Sequence, residues 1–293
     1  MGSDKKGGTT GRLLVLLYKS LDLRTRTRSF FFSQSLKGEC VVDRKQFVSQ
    51  FKFNPALAGL VGVEREGFTL KGDAIRPLAP VVLAELKGDE RFGYELSACQ
   101  LEDRIGPCPV VEVEDQFKEH DRILSALEKQ IGFTRAYIEV APSDMPLDVY
   151  PDPSGRYQRV TKNMPHHVLL AACRVAGVHV HVGMPDPETA MQVYHRAVRH
   201  LKKLIKMGDG SQGDRMRIYQ VMAPDRTPER YPRGWQDFHE YAIAKGFESD
   251  PRSCWHLIRI SVHGTIEFRM FGSTSDNAKI AQWAACCCEI CNF

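Results

Sequence analysis

Long hydrophobic runs are missing from this chain of 293 residues; none approaches the ~20 apolar residues that span a bilayer, which excludes an integral membrane role. No GxxxxGK[ST] occurs, so a P-loop does not hold phosphates here. The sequence has no internal repeat and no long low-complexity tract. Charge of one sign is also scarce: 40 Lys and Arg stand against 36 Asp and Glu, a formal net charge of +4. Residues 1–52 hold 11 of those cations against 4 acids, so the rest of the chain is slightly acidic. The body therefore has no nucleic-acid footprint. Hydrophobic residues make up 43% and charged residues 26%, as in an ordinary globular protein able to bury a sizeable core.

Nine cysteines are an odd number in a chain too long to need disulfide staples, which points to reduced thiols in a cytoplasmic compartment. Four crowd the end as Cys286, Cys287, Cys288 and Cys291. They do not follow the CxxC…CxxC spacing of zinc sites, and they read instead as the buried face of a helix with Ala281, Trp283, Ala284 and Ala285. The basic segment 1–55 reads as a partly disordered extension. Its Leu13–Tyr18 stretch is too short for a secretory signal, and its Arg- and Ser-rich LRTRTRSFFFSQSLKG has the composition of an organelle transit peptide without strong amphipathicity. For want of that amphipathicity, a variable extension with a strand through Phe30–Phe32 is the favoured reading, and a transit peptide the alternative.

From residue 56 on, the pattern predicts α+β: a mainly antiparallel sheet with helices outside it. Strands are expected at Leu60–Leu70, Ala136–Val140 and VHVHVG, with a hairpin over Leu257–Met270 turning at His263-Gly264. Helices are expected at Ala79–Leu86, Gln116–Gln130 and, as one unbroken element, Pro187–Met207 closed by Gly208.

Polar pairs interrupt these strands. Glu64 and Glu66, His179 and His181, and Glu267 and Arg269 each stand two apart, so each pair projects from one face while Val, Ile, Phe or Met fills the other. Taken singly they read as a solvated strand face, core histidines and a salt-bridge element. Together they combine acids, imidazoles and a guanidinium. Carboxylates on one face repel unless water or a cation lies between them, and hard cations prefer oxygen ligands with imidazole completing the shell. Glu95 and Glu102 in YELSACQLEDR lie seven apart, and only a helical turn, a bulge or a loop would bring them together.

The order ExE, E-x₆-E, RY, HVHVG, TIEFR over about Leu60–Phe271 resembles the type 2 glutamate–cysteine ligase family, carboxylate–amine ligases with a curved, glutamine-synthetase-like catalytic sheet. The resemblance implies an ATP-dependent ligase that joins a small-molecule carboxylate to an amine, amino acids among them, through an acyl phosphate. ATP and Mg²⁺ are the implied cofactors, with Mn²⁺ as a substitute. It implies Glu66, Glu95 and Glu102 as ligands of one cation, and Glu64, His179 and Glu267 as ligands of a second beside the ATP phosphates. Arg269 would hold the transferring phosphoryl group, with Glu267 and His181 beside it and His181 on phosphate. Arg156 and Arg259 would bind substrate carboxylate or phosphate. Nucleic acid and membrane are not implied partners; a homo-oligomer is compatible with the reading.

Two departures stand out. The family has an Asp shortly after the TIEFR arginine where this chain reads Phe271-Gly272-Ser273, and it continues with further helices where this chain ends 26 residues after Glu267. The expectation is thus a C-terminally shortened catalytic domain over 56–293. A metal-dependent hydrolase and a paralogue that binds nucleotide without turnover are the competing readings.

Overall fold

The computed structural model describes residues 42–293. The expectations for Leu13–Tyr18, for Phe30–Phe32 and for the transit-like composition lie outside the described residues. Alternation of β-branched and polar residues produces the longest strand, β1 (Val61–Lys71), which turns at Gly72 (φ +61°) into β2 (Ala74–Ile75). The other strands are β3 (Phe92–Tyr94), β4 (Gln100–Cys108), β5 (Thr134–Ala136), β6 (Gly177–Gly183), β7 (Ile258–Ser261) and β8 (Thr265–Gly272). They form one sheet in the order β3-β4-β1-β6-β8-β7, with β2 and β5 attached to β1. Every pairing is antiparallel.

Helices in chain order are α1 (Arg44–Ser49), α2 (Ala79–Glu85), α3 (Val113–Ile131), α4 (Arg156–Thr161) and α5 (His166–Arg174). They continue with α6 (Pro187–Val198), α7 (Leu201–Gly208), α8 (Asp214–Met222), α9 (Trp235–Lys245) and α10 (Asn277–Cys291). The apolar side chains Val61, Val63, Val178, Val180, Val182, Ile266 and Phe268 face α3, α6, α7 and α10 in the main core. The expected α+β class, with helices on the outer face of an antiparallel sheet, holds. On the opposite face α5 packs against α8 and covers one end.

Three expectations change. The single helix over Pro187–Met207 is two, because at Arg199 and His200 the N–H groups turn to the carbonyls of Arg196 and Ala197, three residues back, and the chain bends. The two segments then share β8, and α6 also reaches β7. The strand over Ala136–Val140 is only β5, with Val140 making a single bridge to Val175. The helix expected from Gln116 begins at Val113, preceded by one tight turn over Val110–Glu112.

The terminal cysteines do lie on a helix, α10: Cys287, Cys288 and Cys291 are buried and Cys286 is half-buried. Asp43 and Gln46 cap α1 reciprocally, and Phe47 and Phe51 pack against Trp235 and Phe238 of α9. Residues 42–55, read from sequence with the extension, thus include core side chains.

Candidate functional site

Strand register gathers the site. Opposite Glu64 stand Arg104 on β4 and His179 on β6; opposite Glu66 stands Glu102; opposite His181 stands Glu267, which also faces Arg259 on β7. Directly paired residues in an antiparallel sheet share a face, so five strands deliver these groups to one surface. Glu95 arrives from the loop that follows β3, which settles the open choice for YELSACQLEDR: a loop brings it back over β4.

Carboxylate oxygens of Glu66, Glu95 and Glu102 lie within 4.8 Å of one another. Burial, followed by the charge of Glu95, pushes the Glu66 carboxyl up to about 8, against the pull of Arg215, Arg269 and the Gly177 N–H. That N–H donates to Glu66 Oε2 at 2.7 Å. Burial and the neighbouring carboxylates of Glu64 and Glu95 hold Glu102 well above the usual range, and burial raises Glu95 too. Arg104 Nε, 3.4 Å from Glu102, is half-exposed and offsets little of this. Three crowded acids that resist ionisation are a donor set suited to a hard divalent cation.

Glu64 behaves differently. Burial alone would raise it, but the charge of His181 and the hydrogen bond of His179 hold it well below the usual carboxylate range. His179 Nδ1 lies 3.1 Å from Glu64 Oε2, and its Nε2 lies 3.6 Å from Glu66 Oε1, so this imidazole stands between the two acids. Burial, then the charge of Arg269, lowers His179 to about 4. His181 Nδ1 meets Thr265 Oγ1 at 2.9 Å. Its buried Nε2 has no hydrogen-bond partner among the described residues and faces Glu64 Oε1 at 3.6 Å.

Glu267 is fully buried and held between two guanidinium groups, Arg259 (2.7 and 3.0 Å) and Arg269. Arg259 also donates to the carbonyls of Arg252 and Cys254, so its fork is occupied by protein groups. The Arg269 guanidinium lies 5.6 Å from the Trp255 ring centroid and donates to Tyr219 Oη.

Two cavities open on this face. An open groove of about 770 Å³ includes Glu64, His181, Arg104, Lys52, Arg91 and His263 in its lining. A more enclosed cavity of about 130 Å³ includes Glu66, Glu95, His179 and Arg269 in its wall, with Arg156 and Trp255. Glu102, Glu267 and Arg259 stand behind these walls as partners. Asp152 caps the helix carrying Arg156 by accepting the N–H groups of Arg156 and Tyr157, and so fixes that end of the enclosed cavity. The basic rim of the groove fits a polyphosphate and the acid trio fits a divalent cation, so the residues present suit nucleotide and metal.

Sequence reasoning missed Arg215. It is 2% exposed, lines the enclosed cavity and shares the buried side of α8 with Tyr219 and Met222. The spacing i, i+4, i+7 was the available signal. Lys52, Arg91, Arg104 and His263 at the groove carried none, since single surface cations have no pattern.

Residues 60–205 match the glutamate–cysteine ligase family 2, and residues 152–291 match the family described as "Putative amidoligase enzyme". A "Putative glutamate–cysteine ligase 2" of Thermobifida fusca is 26% identical over 262 residues, covering 80% of this chain and 64% of the relative. A "Putative glutamate–cysteine ligase 2-1" of Rubrobacter xylanophilus is 24% identical over 67% of this chain and 56% of its own length. A "Putative glutamate–cysteine ligase 2-3" of Rhodococcus jostii is 29% identical over 52% of this chain and 19% of its own. The chain thus spans between about a fifth and two thirds of these relatives. A bifunctional glutathione synthetase from Pasteurella multocida shares the fold, with a TM-score of 0.54 at 14% identity over 78% of this chain and 38% of that one. Among the described residues no helix is long and apolar enough to cross a membrane.

Proposed function

Because this chain belongs to the type 2 glutamate–cysteine ligase family, we propose that it is an ATP-dependent carboxylate–amine ligase that forms an amide through an acyl phosphate. The observation that carries the reading is the division of one acid-and-imidazole face between two cavities, Glu64 and His181 in the groove and Glu66, Glu95 and His179 in the enclosed cavity. The groove takes the nucleotide and the enclosed cavity takes the carboxylate substrate.

Glu66, Glu95 and Glu102 would hold one divalent cation, and Glu64 and His179 would hold a second; Glu267, expected from sequence as its third ligand, instead gives both carboxylate oxygens to Arg259 and Arg269. Bound there, the cations neutralise phosphate charge and act as Lewis acids. A carboxylate is a poor electrophile, and its oxygen must first displace ADP from the γ-phosphorus; the amine nitrogen then displaces phosphate and loses a proton. Arg269 presents its guanidinium to the phosphoryl oxygens, and Glu267 keeps that fork and the fork of Arg259 in fixed orientation. His181 Nε2, which has no hydrogen-bond partner among the described residues, donates to phosphate. Arg156 orients the substrate. The packed α5–α8 pair and Trp255 shield the acyl phosphate from water. By this reading the catalytic domain is 56–293 together with α1, whose Phe47 and the following Phe51 pack in its core, the basic segment before α1 is an extension to it, and the protein works on small molecules in the cytoplasm.

The test is incubation with Mg-ATP and a panel of carboxylates and amines, followed by mass spectrometry and ADP quantification. One ADP per amide, lost on chelation, is expected. Amide hydrolysis without nucleotide would support the hydrolase instead, and nucleotide binding without any product would support the paralogue.

A further inference from the structure

Strand β8 loses its register where Arg269 stands. Val180 of β6 pairs with Phe268 and Val178 pairs with Phe271, so Arg269 and Met270 both stand opposite His179 in a bulge. The pairing of β8 with β7 stops at Phe268 and Ile258. Neither bulged residue is in register with a residue of β6 or β7, although both are buried. A bulge re-aims a side chain, and here the ladder alone does not hold that aim.

Helix α8 takes over. Arg215 donates from its two terminal nitrogens to the carbonyls of Arg269 and Met270, both at 3.2 Å, and from Nε to the carbonyl of Ala176 at 2.8 Å. One planar fork thus spans the bulge and the chain entering β6. One turn further along α8, Tyr219 Oη accepts from Arg269 Nε at 3.4 Å and donates to the Trp255 carbonyl at 3.3 Å. The same helix therefore holds Arg269 by its main chain and by its side chain.

The strands leave room for these contacts. Gly177 and Gly272 are paired in register; a Cβ on Gly177 would strike the Arg215 guanidinium, and one on Gly272 would strike the Glu139 carboxylate. Glu139 accepts the N–H groups of Gly210 at 2.6 Å and Ser211 at 3.2 Å, and Ser211 Oγ accepts the Arg215 N–H at 2.9 Å. Glu139 thus anchors the start of α8 beside the end of β8.

On the premise that the ligase reading holds, we infer that Arg215 and Tyr219 are positioning residues for phosphoryl transfer, which fix the Arg269 guanidinium before substrate arrives. Arg269 uses Nε on Tyr219 and Nη1 on Glu267; among the described residues its Nη2 makes no hydrogen bond and is left for phosphoryl oxygens. An unheld arginine would lose its rotamer freedom at the moment of reaction, whereas a held one already aims its donors at the charge that develops.

The experiment is isothermal titration of the full chain with MgADP alone and with MgADP plus aluminium fluoride, a mimic of the transferring phosphoryl group. Tyr219→Phe removes only the hydroxyl. It should leave MgADP affinity within about twofold but weaken the aluminium fluoride complex about tenfold or more. It should lower kcat by about as much while the KM for ATP stays within about twofold. Arg215→Lys keeps the charge but cannot span the carbonyls, and it should separate the two affinities in the same direction. On an Arg269→Lys background, where no Nε remains, Tyr219→Phe should change aluminium fluoride binding by less than about twofold. Equal losses for both ligands, which a merely structural role would give, would overturn the inference. So would an unchanged aluminium fluoride affinity in Tyr219→Phe, or an undiminished effect on the Arg269→Lys background. Any of these with ATP-dependent amide formation by the parent chain would leave the ligase reading standing. A parent chain that neither turns over ATP with any acid and amine nor binds MgADP more tightly with aluminium fluoride would overturn both.

Discussion

Strand β1 carries charges on both faces, and the two faces treat them oppositely. Toward the helices, Arg65 is fully buried yet completely matched. Its Nε and one terminal nitrogen grip Asp103 at 3.0 and 2.7 Å, and it also reaches Asp121 and Asn277 at 2.8 Å. The rings of Phe117 and Tyr137 lie 4.5 and 4.4 Å from its guanidinium carbon. Toward the cavities, its immediate neighbours Glu64 and Glu66 meet further acids and two imidazoles. On the Arg65 face burial works against ionisation, but Arg65 and His120 outweigh it and hold Asp103 below its ordinary range. On the cavity face burial and like charge push three glutamates above theirs. One residue of displacement along a strand separates a network completed by protein from one completed by ligand.

The largest effect that comparison predicts is on the completed side. Arg65→Met should cost about 3–5 kcal/mol in urea unfolding, because it leaves Asp103 buried and uncompensated. Arg65→Met with Asp103→Leu should recover a substantial part. A loss below about 1 kcal/mol for the single change would mean the network is not what anchors β1 to β4, α3 and α10.

On the other face the two glutamates should separate by function. Glu66→Gln should leave ATP affinity within about threefold and lower kcat by about 100-fold, some 2.7 kcal/mol of transition-state stabilisation. Glu64→Gln should weaken ATP by tenfold or more, because its carboxylate lines the groove. The strand rise sets the two residues about 6.5–7 Å apart, wide enough for separate cations. Identical profiles in the two variants would replace two cations with one.

How legible was this in the sequence? The i, i+2 pairs were fully so, because strand alternation is local and their apolar neighbours mark the other face. The closeness of Glu95 to Glu66 and Glu102 was not, since it depends on the loop after β3 and on the pairing of β4 with β1. The fate of Arg259 was equally hidden: its cross-strand position opposite Glu267 commits its guanidinium to that carboxylate. Nor did apolar spacing in Pro187–Met207 reveal the bend, because both halves keep helical periodicity and only their different contacts require a break. Helices α8 and α9 went unread for the reverse reason. Their buried residues include Arg215 and Trp235 among many charged neighbours, so neither presents a clean apolar stripe.

The smallest expected effect is also the most diagnostic of the unmatched face, and it concerns pH without metal. Glu66 rises from an ordinary 4.5 to about 8 on folding, so the folded chain keeps a proton that the unfolded chain has released. Its contribution to stability is fully present below about 4.5 and is lost as pH climbs towards 8. Glu95, Glu102 and His181, all raised, act in the same direction. His179, lowered to about 4 from 6.5, acts the other way, but its contribution is complete above 6.5. Glu64 and Glu267, held low, contribute only above their unfolded values and are flat in this range. Between pH 6.5 and 8 in EDTA, stability should therefore fall, by at most about 1.4 kcal/mol per pH unit for each proton released. Millimolar Mg²⁺ should flatten the slope by favouring the ionised trio, and Glu66→Gln should flatten part of it without metal. On the Arg65 face nothing comparable should occur, because Asp103 is already ionised throughout this window. Thermal melts at stepped pH decide the matter: a flat profile in EDTA, or one that Mg²⁺ leaves unchanged, would mean that the trio is neutralised within the protein and that the two faces of β1 differ less than their geometry indicates.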